Sequence, residues 1–394
     1  MDFSFSETEN AFREELSTFL DQEVAEWWRH LFHAEERTIP ASRELAAKLA
    51  ERGWLTMSWP PEYGGSGADA WMQVVLREEM WSRGEPRGPQ YMNVNYIGPL
   101  IMHYGTEEQR ERFLPPMSQG AVIWCQGFSE PDAGTDLTAL STRARRTDDG
   151  RYIITGQKIW TSYADAPAQW CFLLARTNAD VRPHQGLSLF LVDMAAPGVT
   201  VRPIESLVGI GEINEVFFDE VEVPADCLLG AEDDGWEMLR TGLALERIGV
   251  PWYADADRFL ERLIAYARET MVDGRPLSAD PRIRTRLAEL YMRCRAARLV
   301  TYRAVSLQEK GSPTALESAS AWMLGGLTQQ LAGQVGHETV GALSVLHADD
   351  PDAPIDGWAQ FQQLLAIPTT IAAGAIDIQR NIIAQQGLGL PRSN

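Results

Sequence analysis

Hydrophobic positions along the chain change their period twice. From Ser6 to about Gly120 they recur every three to four residues, the mark of helices with one buried face. Phe12, Leu16, Phe19, Leu20, Val24 and Trp27 form one such stripe, and Ser6 with Glu9 three residues on makes a capping box at its start. Gly and Pro break the period at Trp59-Pro60-Pro61-Glu62-Tyr63-Gly64-Gly65 and between Gly84 and Pro89. From Ala121 to about Leu229 short β-rich runs take over, among them Tyr152 to Thr155, Cys171 to Leu174, Ser188 to Val192 and Val216 to Phe218, with Gly, Pro, Asp and Asn turns between them. Strands without intervening helices predict an antiparallel sandwich or barrel. From Gly235 onward long helical patterns return, with breaks at Asp273-Gly274-Arg275-Pro276 and from Asp349 to Gly357. The pattern predicts a helical domain over 1–120, a β domain over 121–229 and a second helical domain over 230–394.

One polar residue falls out of pattern. In the helical stretch Trp236 to Val250, Leu239, Leu243 and Val250 mark the apolar stripe, and Glu246 stands between the last two, where another Leu is expected. The residues three and four away are Gly242, Leu243, Gly249 and Val250, so no local cation neutralises it. A carboxylate withdrawn from water without a partner costs several kcal/mol, roughly, so it finds a distant partner, takes up a proton or does chemistry.

Composition narrows the class. With 394 residues, 45% of them hydrophobic and 23% charged, the chain reads as a multi-domain globular protein. No run approaches the ~18 apolar residues of a membrane span. The start, MDFSFSETEN, lacks the basic region of a secretion signal and the Arg-rich pattern of a transit peptide, so a cytoplasmic location is expected. A net charge of −20 argues against nucleic acid or an anionic membrane as partner. The four cysteines have no CxxC spacing and the six histidines no ligand spacing, so neither a metal site nor a disulfide framework is expected.

Gly209-Ile210-Gly211 lacks the third glycine of a dinucleotide fingerprint, and Ser129, between Phe128 and Glu130, lacks the glycines of a nucleophile elbow. The informative run is QGFSEPDAGTD, Gln126 to Asp136, followed by GQKIWTS, Gly156 to Ser162. Together they closely resemble the flavin-binding signatures of the acyl-CoA dehydrogenases. WPPEYGG from Trp59, GTEEQR from Gly105, Leu114-Pro115 and IQRNIIAQQGLGLP from Ile378 follow in that family's order, so the resemblance spans nearly the whole chain.

The resemblance implies an α+β fold: an N-terminal helical domain, a central β-sandwich or barrel domain and a C-terminal domain like a four-helix bundle. FAD would lie at the border of the β domain and the C-terminal helices, which fits the missing dinucleotide fingerprint. By motif match, Phe128, Ser129, Gly134 and Thr135 would line the flavin and the phosphate-bearing arm of the substrate, Trp160 would stack at the isoalloxazine, and Ser162 would hydrogen-bond N5. Thr161, Ala375 and Asp377 complete the implied cofactor contacts, and Thr135, Arg247, Ala373 and Gly374 the substrate contacts. Taken alone, Trp160 is an ordinary core aromatic at the end of a strand.

The implied reaction removes the α-proton of an acyl-CoA thioester with a carboxylate while the β-hydrogen leaves as hydride to the flavin, giving a 2-enoyl-CoA. The family places its base either in a C-terminal loop, where Ala373 stands here, or on a helix with an LxLER-like sequence. Leu243-Ala244-Leu245-Glu246-Arg247 matches the helix site, as in isovaleryl-CoA and long-chain members, which makes Glu246 the implied catalytic base. The backbone N–H at Ala373 would still hold the enolate oxygen.

Three departures stand out. The family's ERxxFG segment reads ETMVDG from Glu269, its QxxGG segment reads QVGHETVG from Gln334, and Ala244 replaces an acidic residue common in the family. Arg284 or Arg286 could serve the pyrophosphate instead, although a solvated helix face explains either one. The implied partners are an electron-transfer flavoprotein as acceptor and further subunits, as a homotetramer or a heterotetramer with a paralogue; the substrates suggested are branched, alicyclic or steroid side-chain thioesters. Two alternatives remain: a flavin-dependent oxidase or monooxygenase on the same scaffold, and a non-catalytic subunit of a heteromeric enzyme.

Overall fold

The computed structural model describes residues 4–33, 36–165, 168–249, 251–312, 314–372 and 374–391, with the side chains of 209–212 and 243–249 outside that description. In chain order the longer elements are α1 (Glu7–Glu23), α2 (Thr38–Glu51), α3 (Ala70–Trp81), α4 (Gln90–Met92), α5 (Gly98–Tyr104) and α6 (Glu107–Ser118). Strands β1 (Ile123–Gly127), β2 (Arg143–Arg146), β3 (Tyr152–Ser162), β4 (Ala168–Arg176), β5 (Leu187–Asp193), β6 (Val199–Ser206), β7 (Gly209–Val223) and β8 (Leu228–Leu229) follow. The chain then forms α7 (Gly235–Gly249), α8 (Trp252–Glu269), α9 (Pro281–Glu309), α10 (Ala315–Val340), α11 (Trp358–Leu365) and α12 (Ile376–Ile382). The helical, β, helical order of the sequence pattern is the order of the fold.

These elements gather into two compact units. One comprises 1–22, 70–84 and 247–394; the other comprises 23–69 and 85–246.

In the first unit, helices bundle around α10. Its small residues allow the approach: an added Cβ at Gly336 would lie 2.6 Å from the Phe259 ring, and one at Gly325 3.1 Å from Trp252. The N-terminal helix begins as its sequence predicts, with the Ser6 amide donating to Glu9 Oε2 at 2.6 Å and the Glu9 amide to Ser6 Oγ at 3.3 Å. Its Phe12, Leu16, Phe19 and Leu20 are buried, while Val24 and Trp27 lie beyond its end. The α3 carboxylate Glu78, almost fully buried, ties helices together by accepting from Arg13, Arg298, Tyr253 and Tyr302. The break at Asp273-Gly274 is a tight hairpin: both residues have positive φ, +49° and +74°, and Arg275 and Pro276 pair with Val272 and Met271.

The second unit is built on one eight-stranded sheet, ordered β6-β7-β3-β2-β4-β5-β8 with β1 on β4. Most pairings are antiparallel, but β1 and β2 each run parallel to β4. Cys171 to Ala175 and Leu187 to Val192 are buried at every position, which is why these stretches read as continuous rather than alternating apolar runs. Helix α6 opens with a second capping box, Thr106 with Gln109, and the Gln109 amide reaches the carbonyls of Asp226 and Leu228 at 2.7 and 2.8 Å. Between α4 and α5 the helix widens into a π turn, Asn93–Ile97. The buried Trp59 indole donates to the Val94 carbonyl there at 2.8 Å, and the Asn93 amide holds the Val122 carbonyl at the entrance to β1 at 2.8 Å.

Candidate active site

The run Gln126 to Asp136 leaves the sheet at the end of β1 and forms a short loop. Its entry is tight, because a Cβ on Gly127 would sit 2.8 Å from Leu173 and 2.9 Å from Cys171 Sγ. Phe128 and Ser129 are half-buried, and the Phe128 ring meets Tyr96 and Phe172 edge to face at 6.3 and 6.0 Å. Glu130 and Ala133 exchange backbone hydrogen bonds across Pro131-Asp132, closing a turn. Beyond it Gly134 and Thr135 are exposed, and the space a Gly134 side chain would fill is open.

The second motif is the end of β3, and the structure brings it against the first: the Ile159 amide donates to the Ser129 carbonyl at 2.9 Å. Lys158 pairs with Val216 and Thr161 with Asn214, so β3 carries one residue more than β7 across this interval. The bulge is taken up at Trp160, which adopts φ +60°. Such a conformation is rare for a bulky residue and concentrates at functional sites. Its effect is to turn the indole outward to 59% exposure, while Lys158 two residues before it and Thr161 directly after it are fully buried. The core-aromatic alternative for Trp160 therefore fails. Thr161 Oγ1 is buried without a hydrogen-bond partner, its carbonyl accepts from Asn214 Nδ2 at 3.1 Å, and Ser162 is half-buried at the strand end.

Beneath this surface lies an ion pair to which the sequence reading gave no role. Lys158 Nζ donates to Glu130 Oε1 at 2.8 Å and to the Phe128 carbonyl at 3.0 Å. Burial draws the Lys158 ammonium down to about 8 even with Glu130 beside it. For Glu130 burial acts upward, but Lys158, Thr142 and Ser141 outweigh it and hold the carboxyl at about 2. The signal available in sequence was parity: Tyr152, Ile154 and Lys158 share the inward face of β3, and an inward lysine needs a counter-charge.

Helix α7 runs unbroken through the position of Glu246. The side chains of Glu246 and Arg247 lie outside the described residues, but the turn before them does not. An added Cβ on Gly242 would stand 2.3 Å from Tyr96 Cε2 and 2.7 Å from Leu100 Cδ1. That helix therefore packs on Tyr96, whose ring in turn meets Phe128.

The remaining predicted residues belong to the helical unit. The Gly374 carbonyl accepts from the Trp322 indole at 3.0 Å and from Gln379 Nε2 at 3.2 Å. Ala375 precedes α12 and accepts its first backbone bonds from Ile378 and Gln379 at 2.9 and 3.2 Å. Asp377 is exposed and accepts from Arg380 at 2.7 Å. Ala373 lies outside the described residues. Arg286 is held by Glu338 and Glu289, and Arg284 is exposed.

A flavin fits the β-unit residues. An outward indole on a strained backbone offers a stacking face, Ser129 and Ser162 offer hydroxyls, and Gly134 leaves room for a close approach. Models of the acyl-CoA dehydrogenase N-terminal, middle and C-terminal domains match residues 6–121, 125–221 and 233–388.

The chain belongs to the acyl-CoA dehydrogenase family.

Acyl-CoA dehydrogenase IpdE1 of Mycobacterium tuberculosis is 36% identical over 91% of this chain and 90% of its own length. The solved structure named Tcur3481-Tcur3483 steroid ACAD is 31% identical with a TM-score of 0.91 over all of both chains. The ChsE4-ChsE5 complex from Mycobacterium tuberculosis is 28% identical with a TM-score of 0.89, again over all of both chains. The protein is an FAD-dependent oxidoreductase that dehydrogenates acyl-CoA thioesters. Among the described residues no helix is long and apolar enough to cross a membrane, and no cluster of three or more His, Cys, Asp or Glu is placed to hold a metal.

Proposed function

We propose that Glu246 is the base that takes the α-proton of the acyl-CoA, and that the thioester and flavin are received by the surface formed by Phe128, Ser129, Gly134, Thr135, Trp160, Thr161 and Ser162. The observation that carries this reading is the packing sequence Gly242, Tyr96, Phe128: the helix bearing Glu246 rests, one turn earlier, on the aromatic ring that also supports the proposed flavin loop. Arg247, Ala373 and Gly374 are the proposed substrate contacts, and Ala375 and Asp377 further cofactor contacts.

When bound, FAD supplies the two-electron acceptor for the β-hydride. The chain supplies the rest. A carboxylate is a weak base toward a thioester α-carbon, so the protein must exclude water around it and place donors at the enolate oxygen. The Ala373 backbone N–H is the proposed donor.

Likeness to a structure named a steroid ACAD supports a bulky, steroid-type side-chain thioester as substrate, and likeness to the ChsE4-ChsE5 complex supports assembly with a paralogous subunit. An electron-transfer flavoprotein is the proposed acceptor.

The test is Glu246→Gln in the FAD-loaded protein. A positioned base contributes about 10²- to 10⁴-fold, so flavin bleaching by acyl-CoA should slow by that factor while the resting flavin spectrum is unchanged. Bleaching at the wild-type rate overturns the assignment. A panel of straight-chain and steroid side-chain thioesters in the same assay tests the substrate class.

A further inference from the structure

The buried charge under the proposed flavin surface is more completely wired than stability requires. Glu130 Oε1 accepts from Lys158 Nζ and the Thr142 amide, both at 2.8 Å, and Oε2 accepts from the Ser141 amide at 2.6 Å and the Ser141 hydroxyl at 2.7 Å. Both side chains are almost completely buried, at 4% exposure for Glu130 and 0% for Lys158. An ion pair so deep gains little over well-packed apolar side chains, because the loss of hydration offsets the attraction. What it does supply is direction.

Lys158 holds the Phe128 carbonyl, and the next residue on its strand, Ile159, holds the Ser129 carbonyl. Described peptide bonds are all trans, so an amide N–H points opposite to the carbonyl of its own plane. Fixing the Phe128 carbonyl toward Lys158 therefore turns the Ser129 N–H to the opposite side of the loop. The same lysine belongs to the strand that carries Trp160 two residues on. One pair thus sets the loop, the orientation of its amide and the strand end beside it.

We propose that Glu130 and Lys158 are a positioning pair that preorganises the Phe128–Ser129 loop against Trp160, and that they contribute to flavin affinity beyond what they contribute to folding. The proposal rests on the reading that this surface receives FAD.

The test compares wild type, the apolar double variant Glu130→Leu/Lys158→Met, the single variant Glu130→Gln and, as a separate control, Trp160→Ala. FAD is titrated into each apoprotein, with apoprotein melting and the visible circular dichroism of the bound flavin as readouts. Loss of charge-assisted hydrogen bonds corresponds to about 10- to 100-fold in affinity. The double variant, which also leaves the Ser141 and Thr142 donors without this acceptor, should melt lower than wild-type apoprotein and, where folded, bind FAD that much more weakly with an altered visible signature; Glu130→Gln, which keeps an acceptor for Lys158, should lie between. Wild-type affinity and signature in the folded double variant overturn the proposal. If the double variant does not fold, Glu130→Gln decides: weaker FAD binding by a folded protein supports positioning, and unchanged binding overturns it. Should Trp160→Ala also leave affinity unchanged, the location of the flavin is at fault; should it alone weaken binding, only the positioning role fails.

Discussion

Gly242 of α7 stands so close to Tyr96 that a single added methyl would lie 2.3 Å from the ring. Replacing a helical glycine by alanine ordinarily gains up to about 1 kcal/mol. Here Tyr96 is 1% exposed and wedged against Phe128 and Phe172, so the ring cannot yield, and overpacking costs about 1–3 kcal/mol. The clash should win. Gly242→Ala is expected to lower the melting temperature by a few degrees and to weaken FAD binding through Phe128; a rise in melting temperature contradicts this.

Trp160 makes the opposite prediction. Its side chain is 59% exposed and its backbone is left-handed, so truncation removes no core and glycine relieves strain of about 1 kcal/mol. Trp160→Gly should leave the apoprotein as stable as wild type or slightly more so, while lowering FAD affinity. Calorimetry of the apoprotein checks the first part, and a loss of more than about 1 kcal/mol on the same strain argument means that the indole is a packing residue after all.

How much of this was legible beforehand depends on the range of the interaction. The capping boxes at Ser6 and Thr106 are local, and the first was read directly from residue spacing. The order of helical and β segments follows from hydrophobic period alone. Trp160 taken alone read as a core aromatic, because residue type does not reveal the bulge that reverses the parity of everything beyond it. The parallel pairings of β1 and β2 with β4 were hidden for a different reason: short strands signal their existence but not their neighbours. The Tyr96 and Gly242 contact joins distant parts of the chain and leaves no periodic trace. Glu130 and Lys158 were visible as charges inside two motifs, but only the fold shows that each is the other's partner.

The pair has a pH signature whose two halves differ in sign. Glu130 falls from an ordinary 4.5 to about 2 in the folded protein. Its stabilisation is therefore fully present above about 4.5 and is lost as pH falls toward 2, where the native carboxylate takes up its proton. Lys158 falls from 10.5 to about 8. Between those values the unfolded chain keeps a proton that the native state has released, so native stability rises with pH through that window as the cost of burying the ammonium disappears. Urea unfolding of wild type against Glu130→Gln should show a stability gap that closes from pH 5 downward. The double apolar variant should lack the alkaline rise. A gap independent of pH below 5 removes Glu130 as its source.

In the helical unit the corresponding node is Glu78. Burial would raise this carboxyl, but the Arg298 and Arg13 guanidiniums and the Tyr302 and Tyr253 hydroxyls prevail and hold it below the ordinary carboxylate range. Oε1 accepts from Tyr302 at 2.7 Å, Tyr253 at 2.8 Å and Arg298 at 3.0 Å, and Oε2 from Arg13 at 2.7 Å. Removing one tyrosine hydroxyl deletes a single donor from a carboxylate that keeps three others, which costs about 1–2 kcal/mol. Removing the carboxylate strands the partly buried Arg298 guanidinium and two hydroxyls at once, while Arg13 keeps Glu79 at 2.8 Å. Loss of one partner from a buried charge network costs about 3–5 kcal/mol, and the residual hydration of Arg13 and Arg298, 23% and 31% exposed, places the effect at the lower end. Glu78→Ala should therefore destabilise the enzyme more than Tyr302→Phe. Equal losses in denaturant unfolding mean that the tyrosine bond, not the charge, holds these helices together.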